Sequence, residues 1–186
     1  MSAPGRSCDP GRRRVLRSGS AAMLGASPLL LSACAPASVD GAGFGSLPAA
    51  LATLQALKGK PPRATGAWDL PKVLIHAAQS VEYSLAGFPQ PKPAWFRATV
   101  GPAAFALFSA RGRMSHSLSE PIPGAPDIAA GQALDAAVDR LVAALRAFEA
   151  HTGALAPHFA YGALDKPAYA RAHLMHLANH WQEMAA

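Results

Sequence analysis

Hydrophobic residues recur at three- and four-residue steps through most of this chain, and no run of alternating β-branched residues interrupts them. The first periodic stretch opens at Ser46-Leu-Pro-Ala, carries Leu51, Leu54 and Leu57, and stops at Gly59-Lys-Pro-Pro. A second starts at Asp69, whose carboxylate suits an N-cap, with Pro71 in the first turn where a missing N–H is harmless. It sets Leu74, Ala78, Val81 and Leu85 on one side and ends at Gly87-Phe88-Pro89. Its other side gathers His76, Gln79, Ser80 and Tyr83 within about 100° of arc. Pro89, Pro91 and Pro93 make a stiff connector. Trp95 to Ala110 predicts a third helix, bent or interrupted at Gly101-Pro102. Residues 111–126 follow as a long loop, of a length that in a small domain is functional or disordered. Asp127 is expected to open a fourth helix carrying Leu134, Val138, Leu141, Leu145 and Phe148, which ends near His151-Thr-Gly153. After a loop over 154–164, Asp165 caps a last helix with Pro167 in its first turn, running to Met184. The reading is all-α: four long helices and a shorter one, joined by long loops, without an internal repeat.

The last helix concentrates chemistry. It holds His173, His176 and His180, three of the seven histidines in the chain. At about 100° per residue, His180 lies about 20° and His176 about 60° from His173, so all three point the same way. Leu177, Met184, Trp181 and Ala170 fall beside them, while Arg171, Ala178, Asn179, Gln182 and Glu183 lie on the opposite face, which is expected to be solvated.

His176 and His180 have the i,i+4 spacing that lets two imidazoles converge on one ion from adjacent turns. A third ligand must come from another element. His76 is the best candidate, because it lies on a different helix and among polar neighbours. Three neutral imidazoles leave coordination positions open, as in catalytic rather than structural sites. His173 sits a turn away and is assigned as a neighbour of the trio. Histidines near a helix C-terminus also interact favourably with the helix dipole, so spacing alone leaves both readings open. Glu82 and Gln79 are the candidates for a catalytic role, Glu82 as a base and Gln79 as a hydrogen-bond partner. Glu82 points about 120° away from His76, however, which suits an ion pair better. His116 and His158 lie in loops and are expected to be solvated. No nucleophile motif, P-loop or dinucleotide fingerprint is present.

The chain has 186 residues, enough for one domain. Its first part resembles an export signal. Gly11-Arg12-Arg13-Arg14-Val15-Leu16-Arg17 resembles the twin-arginine pattern, with Val15 where phenylalanine is usual. The apolar run Ala21 to Leu31 is too short to span a bilayer and ends at Leu31-Ser32-Ala33-Cys34, which resembles a bacterial lipobox. On this reading residues 1–33 are the signal peptide, Cys34 is lipidated, 34–45 form a flexible small-residue tether, and 46–186 form the helical domain. A diacylglyceryl-plus-amide anchor would hold the protein to a membrane in the cell envelope or periplasm. The alternative is an ordinary cleaved signal or a basic tail.

Net charge is +6, but five of the 17 basic residues and one of the 11 acidic ones precede Cys34, leaving 12 against 10, about +2. No basic stripe with interleaved aromatics remains, which argues against a nucleic-acid partner. Of the two cysteines, Cys8 lies in the expected signal and Cys34 would be lipidated, which would leave no thiol for a disulfide, a metal or a nucleophile.

Four stretches together resemble a known family. They are Leu74-Ile-His76-Ala-Ala-Gln79-Ser80-Val-Glu82-Tyr83-Ser84-Leu-Ala-Gly87-Phe88-Pro89, Arg111-Gly-Arg-Met114, Pro121-Ile-Pro-Gly-Ala-Pro126, and His173-Leu-Met-His176-Leu-Ala-Asn-His180-Trp-Gln182. The family is domain of unknown function 1569, and the resemblance covers the chain from about residue 46. That family is similar to the DinB/YfiT-like superfamily of up-down four-helix bundles. There, one histidine of the second helix and an HxxxH pair of the last hold a divalent metal, often zinc or nickel. Carried over by position, the resemblance implies His76, His176 and His180 as ligands. It departs from the family pattern at Trp181 and Glu183-Met184. Some superfamily members perform thiol-dependent transferase or isomerase chemistry; metal-activated water is the competing expectation in oxidising surroundings. Two functions are therefore weighed: an exported metalloenzyme acting on a small molecule, and a non-catalytic metal- or partner-binding lipoprotein, either one as a monomer or a homodimer. A cleft beside the trio favours the first; a site sealed by Trp181, Tyr83 and Met184 favours the second.

Overall fold

Side-chain caps set three of the helix starts. Ser46, Asp69 and Asp165 accept hydrogen bonds from the backbone N–H of Ala49, Lys72 and Ala168 at 3.3, 2.9 and 2.8 Å, and each helix has a proline in its first turn. The structure, a computed structural model, describes residues 37–41 and 43–185. In chain order its elements are α1 (Leu47–Ala56), β1 (Arg63–Ala64), α2 (Leu70–Ala86), α3 (Ala94–Ala98), α4 (Val100–Arg111), α5 (Leu134–Ala150), α6 (Lys166–His180), a 3-10 turn (Trp181–Glu183) and β2 (Met184–Ala185). The chain is mostly helical, as the periodicity predicts. No helix among the described residues is long and apolar enough to cross a membrane. Arg12, Arg13 and Cys34, which carry the export and lipidation expectations, lie outside the described residues.

The core forms where α2 packs along α5 and against α6, with α1 laid across α5 and α6. Leu74 and Val81 of α2 meet Val138, Leu141, Leu145 and Phe148 of α5 and Met175 and Leu177 of α6, all essentially without solvent exposure. Each such side chain contributes about 1.5–3 kcal/mol by leaving water.

Five expectations are corrected. The third helix breaks at Thr99, not at Gly101-Pro102, because Pro102 falls in the first turn of α4, where its N–H is not needed. The fourth helix begins at Leu134 and not at Asp127, since Gly131 takes the left-handed conformation (φ 76°) and keeps the preceding segment irregular. The last helix ends at His180. Beyond the 3-10 turn, Ala64 pairs with Met184 and Arg63 with Ala185, so the backbone of another segment draws the chain end into a short antiparallel ladder. The face of α6 expected to be solvated is covered: Ala178 and Asn179 are buried. What covers it is part of the segment expected to be a tether. Gly41 packs against Ala178, Arg171 donates to the Ala37 carbonyl, and the Asp40 N–H donates to the Gly112 carbonyl at 2.8 Å. Phe44 is wholly buried, its ring edge-on to Trp181 at 4.9 Å.

Candidate metal centre

His76 lies midway along α2, and His176 and His180 occupy the last two turns of α6. Packing of the two helices turns their rings onto one point. Nε2 of His176 stands 3.2 Å from Nε2 of His76 and 3.1 Å from Nε2 of His180. One ligand atom from each ring lies within 4.8 Å of the other two, a group that can hold a metal ion. Nitrogens bound tetrahedrally to zinc at about 2.1 Å would be about 3.4 Å apart, close to the two contacts present. His76 and His180 are buried and His176 is half-buried.

The protons test whether these residues fit an ion. A neutral imidazole carries one proton on one nitrogen, and Nε2 of His176 faces two partners. At most one of those contacts can be a well-formed hydrogen bond. If all three Nε2 atoms are unprotonated, the protons sit on Nδ1, and Nδ1 of His76 and of His180 is sealed from solvent without a hydrogen-bond partner. Charging the rings is no escape. Burial, aided by repulsion from neighbouring histidines that include His116, lowers His76 to about 4 and His180 to about 3, and holds His176 well below its usual value. At neutral pH the chain therefore presents three uncharged imidazoles with lone pairs free to converge. An all-nitrogen set of this kind could hold a metal ion.

The surroundings assign the remaining candidates. Trp68 forms the back wall, edge-on to His76 at 5.1 Å and parallel to His180 at 6.3 Å. His173 is buried beside the trio but turned away from it. Ser84 donates its hydroxyl to the Val81 carbonyl at 2.6 Å, so its lone pair accepts from His173 Nε2 at 3.3 Å. Phe148 and Tyr169 hold the His173 ring at 5.1 and 5.5 Å. Neither catalytic candidate reaches the trio. The Gln79 amide donates to the Pro126 carbonyl at 3.3 Å and so ties the 112–133 loop to α2. Glu82 receives both arms of Arg140, at 2.9 and 2.7 Å, on a half-exposed surface.

A cavity of about 340 Å³ opens beside the trio. His76, Ser80 and His176 line it from the helices, and Phe108, Met114, Ile122 and Phe159 supply apolar walls. Two residues expected in solvent also line it. His116 is exposed as a residue, yet its ring reaches over to 5.0 Å from that of His176 and 5.3 Å from that of His180. Burial of the ring lowers its pKa, partly offset by its hydrogen bond to Ser117 and by Glu120. His158 is buried, contrary to expectation, because its loop folds back between α2 and α4. The length of the 111–126 loop was a hint at His116. For His158 the sequence offered only the turn at Tyr161-Gly162.

No curated protein and no solved structure matches this chain. One family matches residues 40–186, with the description Protein of unknown function (DUF1569), and the chain belongs to that family.

Proposed function

We propose that the protein is a divalent-metal-dependent enzyme with hydrolase- or transferase-type chemistry, built on a DinB-like up-down four-helix bundle. The observation that carries this reading is the convergence of three imidazole Nε2 atoms at the wall of a partly apolar cavity. A zinc or nickel ion held by His76, His176 and His180 would supply a Lewis acid with open positions toward that cavity. His116 is suited to accept a proton there. Its Nδ1 donates to the Ser117 carbonyl at 2.7 Å, which leaves Nε2 as the unprotonated nitrogen. Phe108, Met114, Ile122 and Phe159 exclude water from a bound small molecule, and Trp68 closes the site from behind.

The cavity favours this reading over a non-catalytic binding protein. Trp181, Tyr83 and Met184 do not line the site: Trp181 packs on Phe44, Tyr83 on Phe88, and Met184 pairs with Ala64. Elemental analysis of protein folded in vivo tests the proposal. About one zinc or nickel per chain is expected, falling sharply in His176→Ala; less than about a tenth of a metal in the wild type would sink it.

The same reading places the protein in the cell envelope, anchored to a membrane through lipidated Cys34. It rests on the twin-arginine-like and lipobox-like stretches, and on the suitability of such export for a protein that folds around an ion before crossing. Membrane association that survives Cys34→Ala would overturn the anchor.

A further inference from the structure

His158 is 8% exposed, and its ring is fixed by its own backbone. The N–H groups of Ala160 and Tyr161 both donate to its Nδ1, each at 3.1 Å. A nitrogen that accepts hydrogen bonds carries no proton, so the proton of this neutral ring is on Nε2. The turn is clamped in place. His158 and Gly162 exchange backbone hydrogen bonds at 2.8 and 3.2 Å, and Gly162 adopts φ 78° against the Arg97 carbonyl. Gly101 of α4 lies so near the Ala160 carbonyl that a Cβ there would come within 2.0 Å of its oxygen. Tyr161 stacks on the His158 ring at 4.3 Å and 10°, with Phe88 and Phe159 flanking it. Burial holds its pKa at about 3, so the ring stays neutral.

This arrangement leaves one donor of a buried ring unused. Nε2–H of His158 has no partner among the described residues, yet it is not sealed off as the Nδ1 atoms of His76 and His180 are. The residue lines the cavity it shares with His76 and His176. The donor is open to the cavity, and an oxygen of a molecule bound there would accept from it in place of water.

We propose that His158 is a substrate-binding residue, whose Nε2–H donates to a carbonyl or carboxylate oxygen of a small, partly apolar substrate. The apolar walls and the volume suit an aryl or short alkyl body. Lys92 and Glu120 both stand at the lining, so its charge does not choose between the neutral and the anionic oxygen. The inference rests on reading this cavity as the substrate site; it does not require the metal.

Benzoate and benzamide serve as probes, the one anionic and the other neutral. In protein labelled with 15N-histidine, long-range proton–nitrogen spectra at pH 7 should show His158 as the Nε2–H tautomer. Its Nε2 signal should shift on adding at least one of the probes. An Nδ1–H tautomer, or no shift with either probe, would overturn the assignment. In calorimetry His158→Phe should weaken that probe about threefold to tenfold with zinc stoichiometry unchanged, and equal affinity would also overturn it. Should the variant not fold, the wild-type spectra decide. A His158 response in a wild-type protein that binds neither zinc nor nickel rejects the metalloenzyme and supports this inference. Zinc bound with no response at His158 rejects this inference alone.

Discussion

Nε2 of His176 stands 3.2 Å from Nε2 of His76, a residue one hundred positions earlier in the chain. Helix packing alone brings them together, and His180 joins from the next turn of α6 at 3.1 Å from His176. The crowding is unfavourable for neutral rings and becomes favourable when a cation takes the lone pairs.

Zinc should therefore stabilise the wild type and leave His176→Ala unaffected. At a free zinc concentration a hundred times the dissociation constant, the expected gain is about 2.7 kcal/mol. Chemical denaturation with and without zinc reads it directly. Equal gains in both proteins would remove His176 from the ligand set.

Acid should destabilise the metal-free protein. The folded-state pKa values of His76 (about 4), His158, His173 and His180 (each about 3) lie below the ordinary 6.5. Below pH 6.5 the unfolded chain takes up protons that the folded chain refuses, so stability present above that pH declines as pH falls toward 3–4. From neutral pH to pH 5 the loss is about 2 kcal/mol for each imidazole that stays neutral in the fold. Denaturation midpoints at pH 7.5 and 5.0, on chelator-treated protein, measure it; no decline would contradict the buried neutral rings.

Glu82→Gln should change little. The ion pair with Arg140 is half exposed, so its loss costs about 0.5–1 kcal/mol at low salt and less at high salt. Zinc stoichiometry should stay the same, because Glu82 does not line the cavity. A variant unable to bind zinc would restore a role for this carboxylate at the centre.

Phe44→Ala tests whether the segment before α1 belongs to the fold. Its ring is wholly buried against Trp181, just past the end of the helix that carries two of the three site histidines. Truncation should cost about 3–5 kcal/mol in thermal or denaturant unfolding. A change below about 0.5 kcal/mol would mean that the segment is a loose tether after all.

Local chemistry was legible in the residues themselves. Asp69 and Asp165 cap α2 and α6 as their position before Pro71 and Pro167 predicts, since a cap needs only a carboxylate and the next three residues. The i,i+4 pair His176 and His180 needed only helical periodicity, and its partner His76 needed only a polar face on another helix. Where an outcome hung on a distant backbone, the sequence misled. Met184 leaves the helix because Ala64 is there to pair with it. Ala178 is buried because Gly41, far earlier in the chain, lies against it.

By itself, then, the sequence determined the caps of α2 and α6 and the i,i+4 pairing of His176 and His180, because capping and periodicity act within a few residues; helix packing brought His76 to that pair. Tertiary structure alone decided that a cavity adjoins them, that His116 leans over it, and that His158 is buried with its proton on Nε2. The last of these depends on Gly101 admitting the Ala160 carbonyl and on one turn's N–H groups meeting one ring nitrogen. The Gly101 contact joins segments far apart in the chain, which no local pattern encodes; the His158 bonds are local, spanning two and three residues, but the burial of their turn is not.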